Sequence, residues 1–307
     1  MNTQSNVEPE SPSSLNKPPA ASASRAMYWS IRRELWENRS ICFAPLAVAG
    51  VVLLGFSFSA IQLPQRRRAV LMLDEVHQRV AIQMPYDIAA AMIILAAFIV
   101  GVIYCLDALH GERRDRSVLF WKSMPVSDLT AVLSKASIPM LIMPPLIFVV
   151  IIATHLIMLL LSTVILLMSG LNAPTIWPQI RFLPPPLVLV YGLTVIVLWH
   201  APIYAWLLLV SGWARRATFL WALLPVAIGI FERVAFGSSH FGSFVRYRLI
   251  GWFDEGFIPP TVSGAHIELM QLTPGKFLST PGLWIGLAFA AGFLAAAVRL
   301  RRYRGPI

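Results

Sequence analysis

The 307-residue chain is 57% hydrophobic and only 13% charged, and its mean hydropathy is +0.68. Soluble domains carry about 25% charged residues because their surfaces face water, so these values exclude an ordinary soluble domain. The formal charge of +10 does not indicate a nucleic-acid partner, because the basic residues flank apolar runs instead of forming one patch. Cys42 and Cys105 alone cannot build a disulfide framework or a zinc site.

The beginning of the chain divides into a polar tail and an amphipathic segment. Residues 1–24 are rich in Ser, Pro and Asn and lack apolar periodicity, which predicts a disordered cytoplasmic tail. Residues 25–40 place apolar side chains on one face at helical spacing, with Trp29 and Trp36 at the flanks. This pattern is typical of a helix that lies in the membrane interface. The first helix of a soluble prelude is the alternative interpretation.

Six apolar stretches follow, and we interpret them as transmembrane helices because about 20 apolar residues cross a hydrocarbon core of ~30 Å. They cover residues 41–61, 88–106, 138–168, 187–210, 218–236 and 283–298. The third is too long for a straight crossing, and Pro139, Pro144 and Pro145 predict a kink or tilt. Residues 41–307 are therefore predicted to form an all-α integral membrane domain of about six spans.

The distribution of Lys and Arg predicts the orientation of these spans. Sixteen of these residues fall on one side, in the tail and first helix, in 107–137, in 211–217 and after the last span, and nine fall on the other. Basic residues are enriched in cytoplasmic loops, so both termini are expected in the cytoplasm, although Arg66–Arg68 oppose this bias. Residues 107–135 then form a cytoplasmic loop. The external loop, 237–280, is rich in aromatic residues, which predicts partly re-entrant structure.

The sequence carries no recognisable catalytic motif. The patterns GxxxxGK[ST], HExxH and GxSxG do not occur, and the Gly275-Lys276 pair is followed by Phe277. We therefore expect the chain not to be an enzyme and to bind no cofactor or metal of its own. If it transports a molecule against a gradient, a partner protein or an ion must supply the energy.

Residues 107–135 carry the most informative pattern. An apolar centre, Val118 to Trp121, stands between two charged flanks. Such a loop suits a docking surface, because the aromatic group fills a pocket while the charges set the register. An ordinary basic loop that lies on lipid headgroups is the alternative.

The run GERRDRSVLFWKSMPVSD, between a span and LTAVLSK, resembles the first cytoplasmic loop of bacterial ABC exporter permeases of the type-2 family. FERVAFGSSHF, residues 231–241, is a second and weaker likeness. Permeases of that family lie in the bacterial cytoplasmic (inner) membrane and have six spans, an interfacial N-terminal helix and cytoplasmic termini. They form dimers, and a separate ATPase subunit, which holds ATP and Mg, binds each half through a short coupling helix in this loop.

The resemblance implies a homodimer or heterodimer of permease chains, surrounded by membrane lipid and bound to a cytoplasmic ATPase. It also implies that the external loop folds back as a partial gate, and Glu232 and Arg233, at the outer end of the fifth span, are the candidate gate residues. The residues expected to contact the ATPase are Glu112, Arg113, Arg114, Asp115, Phe120, Trp121 and Lys122.

His155 and His200 fall midway along the third and fourth spans. Paired histidines can ligate haem or relay protons, so a membrane redox or quinone-linked protein is one alternative to an exporter. Hydrogen bonds between helices, to hydroxyls such as those of Thr154 or Ser162, are the simpler interpretation. A membrane anchor or receptor subunit that binds a partner but transports nothing is a further alternative.

Overall fold

The computed structural model describes residues 23–60, 62, 73–116, 126–168, 186–258 and 271–303. About 89% of these residues are helical and none lies in a strand, so the predicted all-α class is confirmed. A single β-bridge pairs Phe257 with Leu272 within this described part. We number the helices in chain order: α1 (Ala23–Glu37), α2 (Ser40–Ala60), α3 (Glu75–Ala108), α4 (His110–Arg114), α5 (Asp128–Ser137), α6 (Met143–Met168), α7 (Pro186–Trp213), α8 (Thr218–Ala222), α9 (Leu224–Phe236), α10 (His240–Ile250), α11 (Trp252–Gly256), α12 (Pro274–Ser279) and α13 (Pro281–Tyr303).

The described residues include five helical segments that are long and apolar enough to cross a membrane. They are Ser40–Ala60, Val80–Arg114, Asp128–Met168, Pro186–Trp213 and Pro281–Tyr303. The chain therefore has the architecture of a multi-pass membrane protein. The predicted first, fourth and last spans coincide with α2, α7 and α13 to within five residues at each end.

The second and third spans differ from their predicted bounds. Helix α3 begins at Glu75, whereas the predicted span begins at residue 88. Charged residues in the first turns of α3 lower the hydropathy there, so the apolar pattern did not indicate that the helix starts earlier. Helices α5 and α6 are joined by a π-helical segment, Ile138–Ile142, into one unit of 41 residues. Pro139 lies in this segment and has no N–H to donate. A π segment is rare in proteins and occurs mostly as a single turn inside an α-helix, as it does here.

The predicted fifth span, 218–236, is wrong as a continuous helix. Helix α8 ends at Ala222, and α9 starts again at Leu224 with Pro225 in its first turn. Pro225 cannot donate a hydrogen bond to the preceding turn, which accounts for the break. Helix α9 has 13 residues, so its length of ~20 Å is less than the ~30 Å hydrocarbon core.

Helices α9 and α10 form a tight hairpin. Gly237 ends α9 with a φ of +65°, a left-handed conformation that glycine adopts without strain. Further along the hairpin, a Cβ added to Gly229 would lie 3.0 Å from Gly242 Cα, so the two backbones touch directly. The predicted external loop, 237–280, thus contains α10, α11 and α12, and its residues 259–270 lie outside the described part.

Helices α7 and α13 run in the same direction. Trp199 shares an apolar cluster with Leu283, and further along both helices Leu209 shares one with Ala297. The chain between the two helices therefore returns from the end of α7 to the beginning of α13. Helices α8 to α12 lie on this return path, which replaces the single fifth helix that the sequence predicted.

The main apolar core lies between α2, α3, α6 and α7. Buried side chains from all four helices meet in one cluster, including Ile41, Ile93, Ile151 and Leu208. In a bilayer, helices associate through such close packing rather than through removal of apolar surface from water.

Candidate functional site

Six charged side chains from four helices meet at one end of the bundle, and we call them the inner charged cluster. Three are carboxylates and three are cations, so their formal charges balance. The cluster ties together the beginning and the end of the described chain, since it includes both α1 and the last turn of α13. Its members are Arg33, Glu34, Glu112, Asp128, Lys135 and Arg301.

Lys135 lies at the centre of this cluster. Its Nζ donates to Glu34 Oε1 at 2.8 Å and lies 3.1 Å from Glu112 Oε1. The Lys135 side chain is 4% exposed and that of Glu34 is 2% exposed. The Tyr104 hydroxyl donates to the other oxygen of Glu34 at 2.9 Å. Buried charges are tolerated only when they are paired and hydrogen-bonded in this way.

Glu112 connects α4 to the rest of the cluster. Arg301 Nη1 donates to Glu112 Oε2, and Arg301 Nε donates to Asp128 Oδ1 at 3.2 Å. Arg33 Nη2 lies 3.2 Å from the other oxygen of Glu112. Burial lowers the pKa of Arg33, but the carboxylates around it raise the pKa further, so the net shift is upward. Arg33 therefore stays charged at any physiological pH.

Arg113 anchors α4 to the end of α7. Its Nη1 donates to the Gly212 carbonyl at 2.8 Å, so it binds a carbonyl that the ending helix leaves without an intrahelical partner. The Ser211 hydroxyl oxygen accepts from the backbone N–H groups of Leu109 and His110, at 2.9 and 2.8 Å. The short helix α4 is thus held at a fixed position against α7.

The residues predicted to contact an ATPase fall into three groups. Arg113 is buried, the Glu112 side chain is 9% exposed, and both are bonded within the chain. Arg114 and Asp115 are 60% and 64% exposed and pair with each other at 3.1 Å. Contact between this loop and a partner protein stays a prediction. Of the predicted contact residues that the structure describes, Arg114 and Asp115 are the two that a partner could reach. The remaining three, Phe120, Trp121 and Lys122, lie outside the described residues.

The candidate gate residue Glu232 holds the α9–α10 hairpin together. It accepts hydrogen bonds from the Ser238 hydroxyl and from the backbone N–H groups of the first turn of α10, at 2.8–3.2 Å. Burial raises the pKa of Glu232, but these hydrogen bonds outweigh it, and the pKa lies below its ordinary value. The Arg233 side chain is exposed. The observed contacts explain Glu232 as a helix cap, and its role in gating stays a prediction.

His155 and His200 line one cavity of about 620 Å³, so the structure brings the two predicted histidines to the same site. His155 Nε2 lies 3.0 Å from the Tyr86 carbonyl oxygen of α3, and His200 Nε2 lies 3.1 Å from the Leu249 carbonyl oxygen of α10. These contacts connect helices, as the simpler interpretation expects, but the acceptors are carbonyls. The hydroxyls of Thr154 and Ser162 instead donate to carbonyls of their own helix.

The histidine geometry weakens the haem and quinone alternative. Both Nε2 atoms face backbone carbonyls, so ligation of iron by either one requires the loss of a contact between helices. Within the described ranges, no group of three or more His, Cys, Asp or Glu residues is placed to hold a metal ion.

Sequence reasoning missed five of the six cluster residues, all except Glu112, and the carboxylate Asp87 that lines the cavity. One signal was available for Glu34: it lies between Ile31 and Leu35, on the apolar face of α1, where a charge requires a partner. Arg301 belongs to a basic run that is typical of a span end, so nothing in its pattern distinguishes it from its neighbours.

Comparison of the chain with protein-family models, with curated proteins and with solved structures gives no match. The resemblance of the loop at residues 107–135, which is predicted to be cytoplasmic, and of the order of spans therefore stays an expectation from the sequence. The structure adds two observations that bear on function. It places α4 against the bundle, and it places His155 and His200 in one cavity.

Proposed function

We propose that this chain is the membrane subunit of an ATP-driven ABC exporter of the type-2 class in the bacterial cytoplasmic membrane. A separate ATPase subunit supplies the energy, and two permease chains form the pathway. The observation that carries the proposal is the two-sided character of α4 and the residue after it. Arg113 faces the bundle and is buried, and the Glu112 side chain also faces the bundle and is 9% exposed. Arg114 and Asp115 face away and are exposed.

A coupling element needs both of these sides. The outer side must be accessible to a partner, and the inner side must be attached to the helices that move. Glu112 joins α4 to α1, α5 and α13 through cations, and Arg113 joins it to α7. A displacement of α4 would therefore reach four other helices through charge-assisted hydrogen bonds. Binding energy from the partner would bias the bundle between two arrangements, as in other switching proteins.

The test is co-purification of an affinity-tagged chain with an ATP-binding subunit from the same cells. Arg114→Glu reverses an exposed charge, so it should leave the free energy of unfolding within about 0.5 kcal/mol of wild type. We expect it to reduce the recovered ATPase about tenfold, because reversing a charge at an interface places like charges together. Arg113→Glu is unsuitable, because a carboxylate there would face the Gly212 carbonyl and disturb the fold.

The matched control is Arg216→Glu, which reverses an exposed arginine in the turn after α7. This variant should keep the ATPase. Retention of the ATPase by both Arg114→Glu and Trp121→Ala would contradict the assignment of a coupling loop. A complex that forms but hydrolyses ATP at one rate with or without any transported compound would favour the anchor alternative.

A further inference from the structure

Helix α1 turns one side toward the bundle and leaves another side open. Glu34 belongs to the inner charged cluster, and Ile31 and Leu35 pack against the main apolar core. The open side carries arginines and tryptophans in alternation, and it continues into the turn between α1 and α2. We call it the Arg–Trp stripe. Its members, all of them exposed, are Arg25, Trp29, Arg32, Trp36 and Arg39.

The spacing of the stripe residues places them on one face of α1. At 3.6 residues per turn, the four members inside the helix lie within ~60° of one another, and Glu34 lies on the opposite side. The Arg32 guanidinium carbon lies 5.1 Å from the centre of the Trp29 ring and 5.8 Å from that of Trp36. These cation–π contacts hold the guanidinium between the two rings. Its N–H donors, which lie in the guanidinium plane, stay available to an oxygen ligand.

The arginines of the stripe carry positive charge that the described part of the chain does not neutralise. Among the described residues, no carboxylate forms an ion pair with any of the three. Arg33, at the flank of the stripe, instead pairs with Glu34, Glu37 and Glu112. Glu37 is the exposed carboxylate of α1, and it is therefore already paired with an arginine outside the stripe. A row of exposed arginines of this kind attracts an anionic group.

The position of the stripe along the chain indicates which anion it meets. The Arg39 carbonyl accepts a hydrogen bond from the Phe43 N–H at 3.0 Å, so Arg39 lies one helical turn before Phe43. Phe43 and Leu46 are 64% and 51% exposed, and they begin the apolar surface that the spanning helix α2 turns toward acyl chains. Arg39 therefore lies at the level of the lipid headgroups. Trp residues concentrate at this level in membrane proteins, and basic residues attract anionic headgroups there.

We propose that the Arg–Trp stripe is a binding site for the phosphate group of anionic phospholipids, such as phosphatidylglycerol. The guanidinium groups bind phosphate oxygens through paired N–H donors. The indole rings lie between the headgroups and the first methylenes of the acyl chains. The site requires lipid but no ATPase partner. The proposal can therefore fail while the proposed function stands, and the reverse is also true.

The experiment measures lipid binding to the full chain in detergent micelles by native mass spectrometry. The probes are phosphatidylglycerol and phosphatidylcholine with the same acyl chains, so that they differ in net charge and headgroup alone. We expect the wild type to bind phosphatidylglycerol about tenfold more tightly than phosphatidylcholine. The combined change Arg25→Gln, Arg32→Gln and Arg39→Gln should remove this difference, because it leaves the stripe without charge. Equal affinities of the wild type for the two lipids would overturn the proposal.

The matched control removes three other exposed charges, through Arg215→Gln, Arg216→Gln and Arg299→Gln. This variant should keep the wild-type affinity for phosphatidylglycerol. Equal losses in the two triple variants would mean that the lipid responds to total charge, and would contradict a site on α1. Unchanged affinity in the stripe variant would also overturn the proposal, and loss of the co-purified ATPase from that variant would then assign the stripe to the protein partner.

Discussion

Replacing Lys135 by Met should lower the free energy of unfolding by about 3–5 kcal/mol, the usual cost of removing one partner from a buried ion pair. Lys135 lies between Glu34 and Glu112, at 2.8 and 3.1 Å from one oxygen of each. Met has nearly the same length as Lys, so the substitution leaves little empty space and little stability is lost from poorer packing. The substitution leaves two neighbouring carboxylates with one shared cation in place of two, since Arg33 Nη2 also lies 2.8 Å from Glu34 Oε1 and 3.2 Å from Glu112 Oε1. Unfolding in detergent or nanodiscs, followed by helical circular dichroism, measures this change.

Lys276→Met is the matched control for that substitution. The Lys276 side chain is 55% exposed and lies 3.6 Å from Glu255 Oε2. Exposed pairs contribute about 0–1 kcal/mol, so the control should be close to wild type. Equal losses in the two variants would mean that the inner charged cluster does not stabilise the fold.

Replacing Trp199 by Ala should have an effect of similar size, about 3–5 kcal/mol. Trp199 is fully buried and its ring packs edge to face on Tyr247 at 5.2 Å between centroids. The Arg248 guanidinium carbon lies 4.8 Å from the centre of the Trp199 ring, a cation–π contact. Because both partners belong to α10, the loss should be concentrated there. Hydrogen exchange of residues 240–250 should become faster than that of the core of α7.

The Trp199 Nε1–H finds no acceptor among the described residues, so its removal eliminates an unsatisfied donor and offsets part of the loss. Trp36→Ala is the control, because Trp36 is 68% exposed on α1. If exchange in 240–250 is the same in Trp199→Ala and Trp36→Ala, then Trp199 does not hold α10 against the bundle.

Hydropathy and helical spacing were sufficient to predict the class of the protein and most of its long helices. Helices α2, α7 and α13 are continuous and apolar, and their bounds follow directly from composition. The break after α8 was not predicted, because the stretch 218–236 is apolar except for Thr218, Glu232 and Arg233 near its ends, and hydropathy does not register the effect of Pro225 on the backbone. The early start of α3 was missed for the opposite reason, since its first turns are polar.

The candidate site was harder to predict because its contacts join residues that are distant in sequence. Glu112 and Arg301 are 189 residues apart, and Glu34 and Lys135 are 101 apart. Four consecutive charged residues, 112 to 115, look alike in sequence, yet the first two face the bundle and the last two do not. Which side of a five-residue helix faces inward is decided by its tertiary partners. The cavity is also formed by residues that are distant in sequence, since its lining comes from α3, α6, α7 and α11. The sequence of any one of these helices does not indicate it.

The central claim is that α4 lies on the cytoplasmic side of a membrane-spanning bundle, where an ATPase can reach it. Accessibility to a membrane-impermeant maleimide tests this claim, after Cys42 and Cys105 have been replaced by Ser and Ala. Two single cysteines are compared, Asp115→Cys beside α4 and Lys276→Cys before α13. Asp115→Cys should be labelled only in inside-out vesicles, and Lys276→Cys only in right-side-out vesicles. Labelling of Asp115→Cys from the outside, or of both cysteines from the same side, would contradict the claim.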